Sequence, residues 1–306
     1  MMMNISQKTF LALAGCVLSV TAAGVAPAHS QESSGWKYTI DSFNDGSEAG
    51  RRGTNSSYEF YGLAIKETAD RVYVALSSNL GLGGEFDSGA DDGQIHYGDL
   101  FFNFTGEDLN DAQGSLFAVK FDAGNDSGVS AVGVYGNVVG QNVAKQNSGF
   151  KSMNQHRNWA NQAGAGSASM GGLDHREKMD DGDFYFQQAN YSVTNSIATG
   201  TFLGGIEQLD GNALATLGLN FQSVNAGVQG RNTFGFSFAR DLMADGEYVA
   251  HLFAECINDG LAITGVLPRI EIPETSETVP EPAVATALLV VGGVGLLKSR
   301  QREANA

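Results

Sequence analysis

Carboxylates are the most abundant chemical resource of this chain. Thirty-four Asp and Glu stand against eighteen Lys and Arg, a formal net charge of −16 over 306 residues. Two loops concentrate them. Asp87, Asp91, Asp92 and Asp99 surround one Gly-rich stretch, and Asp180, Asp181 and Asp183 surround another. A hard cation such as Ca2+ takes about six to eight oxygens from carboxylates and carbonyls on flexible backbone, which such loops offer. These residues are therefore the candidate calcium ligands. Neither loop has the Asp-x-Asp-x-Asp-Gly order of an EF-hand. The competing reading is a pair of solvated turns, in which Asp and Gly serve backbone conformation and local hydrogen bonding.

Other constellations are thinner. His29, His96, His156, His175 and His251 are scattered, with no His-Glu-x-x-His and no Cys-x-x-Cys, so zinc has no ligand pattern to use. In Gly166 to Gly171, neither Ser167 nor Ser169 has glycine on both sides at the spacing of a nucleophile elbow. Cys256 falls on an alternating apolar segment and reads as a packed thiol rather than a nucleophile. Paired carboxylates for glycoside hydrolysis stay open, because their separation is invisible in a sequence. Trp159, isolated in a polar stretch, is either a stacking platform for a glycan or a packing anchor. No catalytic residue is assigned, and the expectation is a protein that is not an enzyme.

The elements that must position these residues read as strands. Tyr58 to Lys66 and Asp70 to Ser77 form a pair, the second with Val72, Val74 and Leu76 on one face. Ile95 to Phe104 is the most aromatic segment and is expected to be a central strand. Leu116 to Phe121 and Val129 to Val139 continue the pattern, and Thr233 to Phe238 alternates strictly. Tyr248 to Cys256 and Leu261 to Val266 make a hairpin across Asn258-Asp259-Gly260. Trp36 to Ile40, Phe184 to Phe186, Tyr191 to Val193 and Ile197 to Gly204 are further strand candidates, and Asp41 to Gly46 is a turn. Leu209 to Leu217 predicts one short helix ended by Gly218. Gln141 to Asp183 loses apolar periodicity and predicts a long surface excursion. Short strands separated by polar turns predict an all-β, antiparallel β-sandwich, jelly-roll-like, with long loops.

Both ends carry targeting chemistry. Lys8 precedes an apolar run from Phe10 to Val25, and Ala26-Pro27-Ala28 is a small-x-small cleavage pattern for signal peptidase. Leu13-Ala14-Gly15-Cys16 also fits a lipobox, but too short an apolar stretch precedes Cys16, and cleavage after Ala28 is expected. At the other end Val279-Pro280-Glu281-Pro282 is followed by an uncharged run over residues 283–297, then by Lys298, Arg300 and Arg302. The prolines disfavour helix before residue 283. The run can satisfy its backbone in lipid only as a single transmembrane helix, with the basic tail held cytoplasmic.

This C-terminal unit resembles the PEP-CTERM sorting signal of Gram-negative surface proteins. The resemblance implies an exosortase-type processing protease as partner, with cleavage near Pro-Glu-Pro and passage outward from a transient inner-membrane intermediate. The chain then divides into a signal peptide (residues 1–28), a surface domain (29–270), an acidic linker (271–279) and the sorting signal (280–306). Removing both ends takes away Lys8, Lys298, Arg300 and Arg302 but only Glu281 and Glu303, so the core is more acidic still. That charge argues against nucleic acid or an anionic membrane surface as a partner. With one cysteine left, Cys256, the core has no internal disulfide and must rest on apolar packing.

The core also resembles a cyanobacterial family of exosortase-dependent surface proteins. The residues concerned are Ile95 to Phe104, Leu116 to Asp122, Gly133 to Val138, Thr233 to Phe238 and Glu255 to Gly260. Together these readings predict an exported cell-surface or extracellular-matrix protein, structural or adhesive in a polysaccharide-rich envelope. The alternative is a secreted carbohydrate-binding or carbohydrate-active protein on a jelly-roll scaffold, with Ca2+ as the only cofactor in view.

Overall fold

Strand β-propensity and turn chemistry dictate the elements. The structure, a computed structural model, describes residues 31–162, 169–172, 185–186 and 193–269. In chain order the first strands are β1 (Gln31–Ser33), β2 (Trp36–Ile40), β3 (Ser47–Glu48), β4 (Arg51–Arg52), β5 (Phe60–Glu67) and β6 (Arg71–Ser78). Then come β7 (Glu85–Phe86), β8 (Gln94–Ile95), β9 (Leu100–Asn103), β10 (Leu116–Lys120) and β11 (Gly133–Gln141). The last are β12 (Ser196–Gly204), β13 (Glu207–Asp210), β14 (Asn232–Ala239), β15 (Gly246–Phe253) and β16 (Gly260–Leu267).

Twelve of these build two antiparallel six-stranded sheets, ordered β1-β2-β5-β6-β14-β13 and β12-β11-β10-β9-β15-β16. Their inner faces share one core. Leu63, Val72, Val74, Leu76 and Phe236 from the first sheet meet Leu100, Phe102, Val119, Ala250 and Leu252 from the second. The described residues thus form an all-β sandwich of two sheets.

The outer faces are covered too. On the first sheet Trp36, Tyr38, Ala64 and Ala75 pack under Leu214 and Phe221, from short helices at Gly211–Thr216 and Phe221–Val224. Asp210 caps the first of these helices through Ala213 N–H at 2.8 Å, and Gly218, at φ +87°, follows its end. The predicted helix over Leu209 to Leu217 is thus part strand and part helix. On the second sheet Phe101, Ala118, Tyr135, His251 and Phe253 point outward, beneath Met153, Met170, Tyr185, Phe186 and Val193. The described parts of the predicted surface excursion therefore form a third layer. A helix, Met153–Gln162, lies within it. Tyr185 and Phe186, expected in a strand, lie in a turn.

Double-sided burial explains why several strands read as continuous apolar runs rather than alternating ones. β9 is central, between β10 and β15, as its aromatic content predicts. The single strand expected over Ile95 to Phe104 is broken at His96 to Asp99. A Cβ at Gly98 would lie 2.0 Å from the Asn195 carbonyl oxygen, so only glycine lets the chain cross there. Among the described residues no helix is long and apolar enough to cross a membrane. The segment 283–297, the sorting motif Val279 to Pro282, the basic tail and the cleavage residues Ala26 and Ala28 lie outside the described residues.

Candidate functional site

Four carboxylates meet at the end of the sandwich where the Asp41–Gly46 turn, the start of β5 and the β15–β16 hairpin come together. β2 ends at Ile40 and delivers Asp41 and Asp45 to this point. Glu59 immediately precedes β5, and Asp259 occupies the hairpin turn, where its Oδ2 accepts from Phe60 N–H at 2.7 Å. Asp41, Asp45 and Asp259 each bring an oxygen to within 4.8 Å of the others. All four residues are buried, with Asp45, Glu59 and Asp259 at 0% exposure.

The backbone holds them in place. Glu59 Oε2 accepts from Gly46 N–H at 2.9 Å, and Asp45 Oδ2 accepts from Ser169 N–H at 2.5 Å. A Cβ at Gly46 would sit 2.5 Å from Glu59 Oε2, so the turn can close over the glutamate only as glycine. Yet both oxygens of Asp41, Oδ1 of Asp45 and Oε1 of Glu59 are buried and make no hydrogen bond. The Ser169 hydroxyl and Ser42 N–H near Asp41 offset part of its unfavourable setting without reaching hydrogen-bond geometry.

Burial, then repulsion among the carboxylates, raises their pKa values. Asp41 is lifted well above the usual range by burial and by Asp45 and Glu59. Asp259 is lifted by burial and by Asp41, Asp45 and Glu59. Burial raises Asp45 to about 6, and burial with Asp45 beside it raises Glu59 to about 9. Among the described residues, the ion pairs of Arg51, Arg71, His96 and Arg240 all go elsewhere.

A groove of about 550 Å³ adjoins this cluster. One wall is the β3–β4 hairpin, with Glu48, Arg51 and Arg52; the other carries Phe150 and Trp159, with Asn258 also lining it. Ser152 accepts from Gln155 N–H through its hydroxyl at 3.3 Å and starts the helix that presents Trp159. Met153, His156 and Ala160 are the helix's buried side, and Trp159 is half-buried. The His156 and Trp159 rings stack at 6.4 Å with 14° between planes, and Phe150 lies 5.3 Å from His156 and 6.1 Å from Trp159. His156 Nε2–H donates to the Asp45 carbonyl at 2.8 Å, which ties the aromatic wall to the acidic cluster. Burial lowers the His156 pKa to about 4, so the ring is neutral.

Among the described residues, the predicted calcium ligands Asp87, Asp91, Asp92 and Asp99 are not gathered. Asp87 accepts from Gly89 N–H at 2.7 Å and from the Tyr58 hydroxyl at 3.4 Å, and Asp92 accepts from Gln94 N–H at 2.9 Å. These are local turn bonds, and Asp91 is exposed. Asp99 is buried elsewhere, accepting from Asn125 at 2.9 Å, Ser127 at 2.5 Å and Ile197 N–H at 2.7 Å. Asp180, Asp181 and Asp183 lie outside the described residues. Among the described residues, the acidic group whose oxygens converge is Asp41, Asp45 and Asp259. Sequence reasoning missed it because both segments look like ordinary turns, Asp-Ser-Phe-Asn-Asp-Gly and Asn-Asp-Gly, more than two hundred positions apart. Cys256 is fully buried and burial pushes its thiol pKa up, as a packed thiol requires. In comparisons with known proteins, no family model, no curated sequence and no solved structure matches this chain.

Proposed function

We propose that this chain is an exported cell-surface or extracellular-matrix protein whose sandwich binds an acidic polysaccharide of the envelope in the groove under Trp159. The observation that carries the binding reading is the pairing of an aromatic wall, Trp159 and Phe150, with Arg51 and Arg52 in one groove of a strongly acidic chain. Pyranose rings stack on aromatic faces, and uronate or sulfate groups pair with guanidinium forks. The volume lies within the range of small-ligand sites. Export rests on the order of the terminal segments. Signal peptidase acts after Ala28, and an exosortase-type protease acts near Val279 to Pro282 while residues 283–297 hold the chain in the inner membrane. Jelly-roll-like connectivity belongs to the same reading, supported by the pairing of sequence-distant β6 with β14 and β9 with β15.

A binding role rather than turnover is favoured by the groove's acids. Glu48 is the one carboxylate among the described residues that lines it, whereas glycoside hydrolysis uses a flanking pair. The test is to recover the protein from its native host, weigh it intact, and measure its retention on acidic and neutral polysaccharides. A mass running from His29 to near Pro282, with retention on acidic polymers only, is the expected result. A mass retaining Arg302, or equal retention on neutral polymers, overturns the corresponding half of the reading.

A further inference from the structure

We propose that Asp41, Asp45 and Asp259, with Glu59 beside them, form a binding site for one divalent cation, Ca2+ by the chemistry of the donors. None of these four residues lines the groove under Trp159. Three carboxylate oxygens within 4.8 Å of one another are spaced as ligands of one ion. With Ca–O bonds of about 2.4 Å, ligands on opposite sides of the ion lie about 4.8 Å apart.

A group of acids alone is weak ground for a site, because exposed carboxylates gather by chance. Here the acids are enclosed, and Asp41 is the independent observation. It is 5% exposed, and neither of its oxygens has a hydrogen-bond partner. Glu59, fully buried, presents a third bare oxygen, and Asp45 a fourth. Natural proteins rarely leave buried acceptors unpaired, and four in one place mark a missing partner. Among the described residues no ion pair reaches these acids and the His156 N–H is spent on the Asp45 backbone carbonyl, so a cation is the partner that fits.

The other oxygens are already oriented. Backbone N–H groups of Gly46, Phe60, Ser169 and Gly260 each fix one carboxylate oxygen. Such outer bonds aim ligands at an ion and keep the cage open in its absence. The donor set is all oxygen, which selects hard ions over zinc or copper. Mg2+ keeps several waters, and an enclosed pocket rich in carboxylates suits the less demanding Ca2+ better.

The rival explanation is a cluster that shares protons instead of an ion. Full-length, metal-stripped protein titrated with CaCl2 in a calorimeter, together with thermal melts, separates the two. We expect Ca2+ at a hundredfold excess over its Kd to raise the wild-type Tm by about 5–10 °C. Asp41→Asn should weaken Ca2+ binding at least about tenfold, since ligand charge sets affinity. Asp91→Asn should leave it unchanged. The metal-free Asp41→Asn protein should melt no lower than metal-free wild type, because the carboxyl it replaces is buried among other acids with no hydrogen bond to lose; Glu59→Gln serves if Asp41→Asn does not fold. A wild-type Tm indifferent to Ca2+, or a Ca2+ response undiminished in both variants, overturns the site in favour of shared protons.

Discussion

His156 donates its Nε2–H to the backbone carbonyl of Asp45 at 2.8 Å, while its ring stacks on Trp159. One side chain therefore couples the turn that carries two of the clustered acids to the helix that walls the groove. His156→Ala removes a buried ring and leaves the Asp45 carbonyl without its donor. A cavity together with an unpaired buried acceptor costs about 2–4 kcal/mol. Denaturant unfolding of the full chain measures it. A loss below about 0.5 kcal/mol, the size of an ordinary surface change, would mean that the ring does not brace the turn.

Stability of the metal-free protein should fall as pH rises from 7 to 9. In the unfolded chain Glu59 is ionised throughout this window, whereas the folded chain keeps it protonated up to about 9. Burial and mutual repulsion hold Asp41 and Asp259 high as well. The folded state thus binds more protons than the unfolded one. Each such group costs about 1.4 kcal/mol per pH unit until its folded pKa is passed. At acid pH the sign reverses for His156, whose folded pKa of about 4 means that protonation of the unfolded chain opposes folding. Tm recorded from pH 7 to 9 in a chelator should slope downward; saturating Ca2+ should flatten it. A flat profile in chelator would show that the acids are ionised without penalty.

Much of the sandwich was legible because its strands obey a simple rule. Val72, Val74 and Leu76 alternate and all three enter the shared core. Hairpins close at Thr68-Ala69-Asp70, between β5 and β6, and through Asn258-Asp259, between β15 and β16. The acidic cluster was not legible, since convergence of Asp41 and Asp45 with Asp259 is made by β2, β5 and β16 lying together, not by any local spacing. A run such as Asp87 to Asp99 looked richer because it is dense along the chain. Density in sequence let Asp87 and Asp92 satisfy themselves within their own turns, leaving little to offer an ion. The Met153–Gln162 helix was hidden for a related reason: Met153, His156 and Ala160 are too few apolar or aromatic residues to show a period among Asn and Gln.

Trp159→Ala should separate recognition from stability. The ring is half-buried, and its contacts are with His156 and Phe150 rather than the main core. Loss of one stacking face should weaken retention on an acidic polysaccharide by about tenfold, equivalent to about 1.4 kcal/mol. Ca2+ binding should persist, because no ligand of the proposed cation site is touched. Affinity electrophoresis of wild type and variant reads the first, and calorimetry the second. Unchanged retention would remove Trp159 from the recognition surface and leave it a packing anchor.

Asp99 makes the sharpest contrast with the exposed acids of its predicted set. Its Oδ2 accepts from Ile197 N–H at 2.7 Å and Ser127 Oγ at 2.5 Å, and its Oδ1 from Asn125 Nδ2 at 2.9 Å. Asn125 in turn receives the buried Lys120 ammonium through its backbone carbonyl at 3.2 Å and through its side chain. Asp99 thus pins β12 to the start of β9 and supplies the negative charge that Lys120 is buried with. Asp99→Ala strands three donors and leaves that ammonium without its countercharge, a loss of about 3–5 kcal/mol. Asp91→Asn, on an exposed turn, should change stability by less than about 0.5 kcal/mol. Urea titrations of the two variants should differ accordingly, both with and without Ca2+. If Asp99→Ala instead lost stability only when Ca2+ was present, Asp99 would belong to a metal site after all, because a bracing carboxylate acts whether or not an ion is bound.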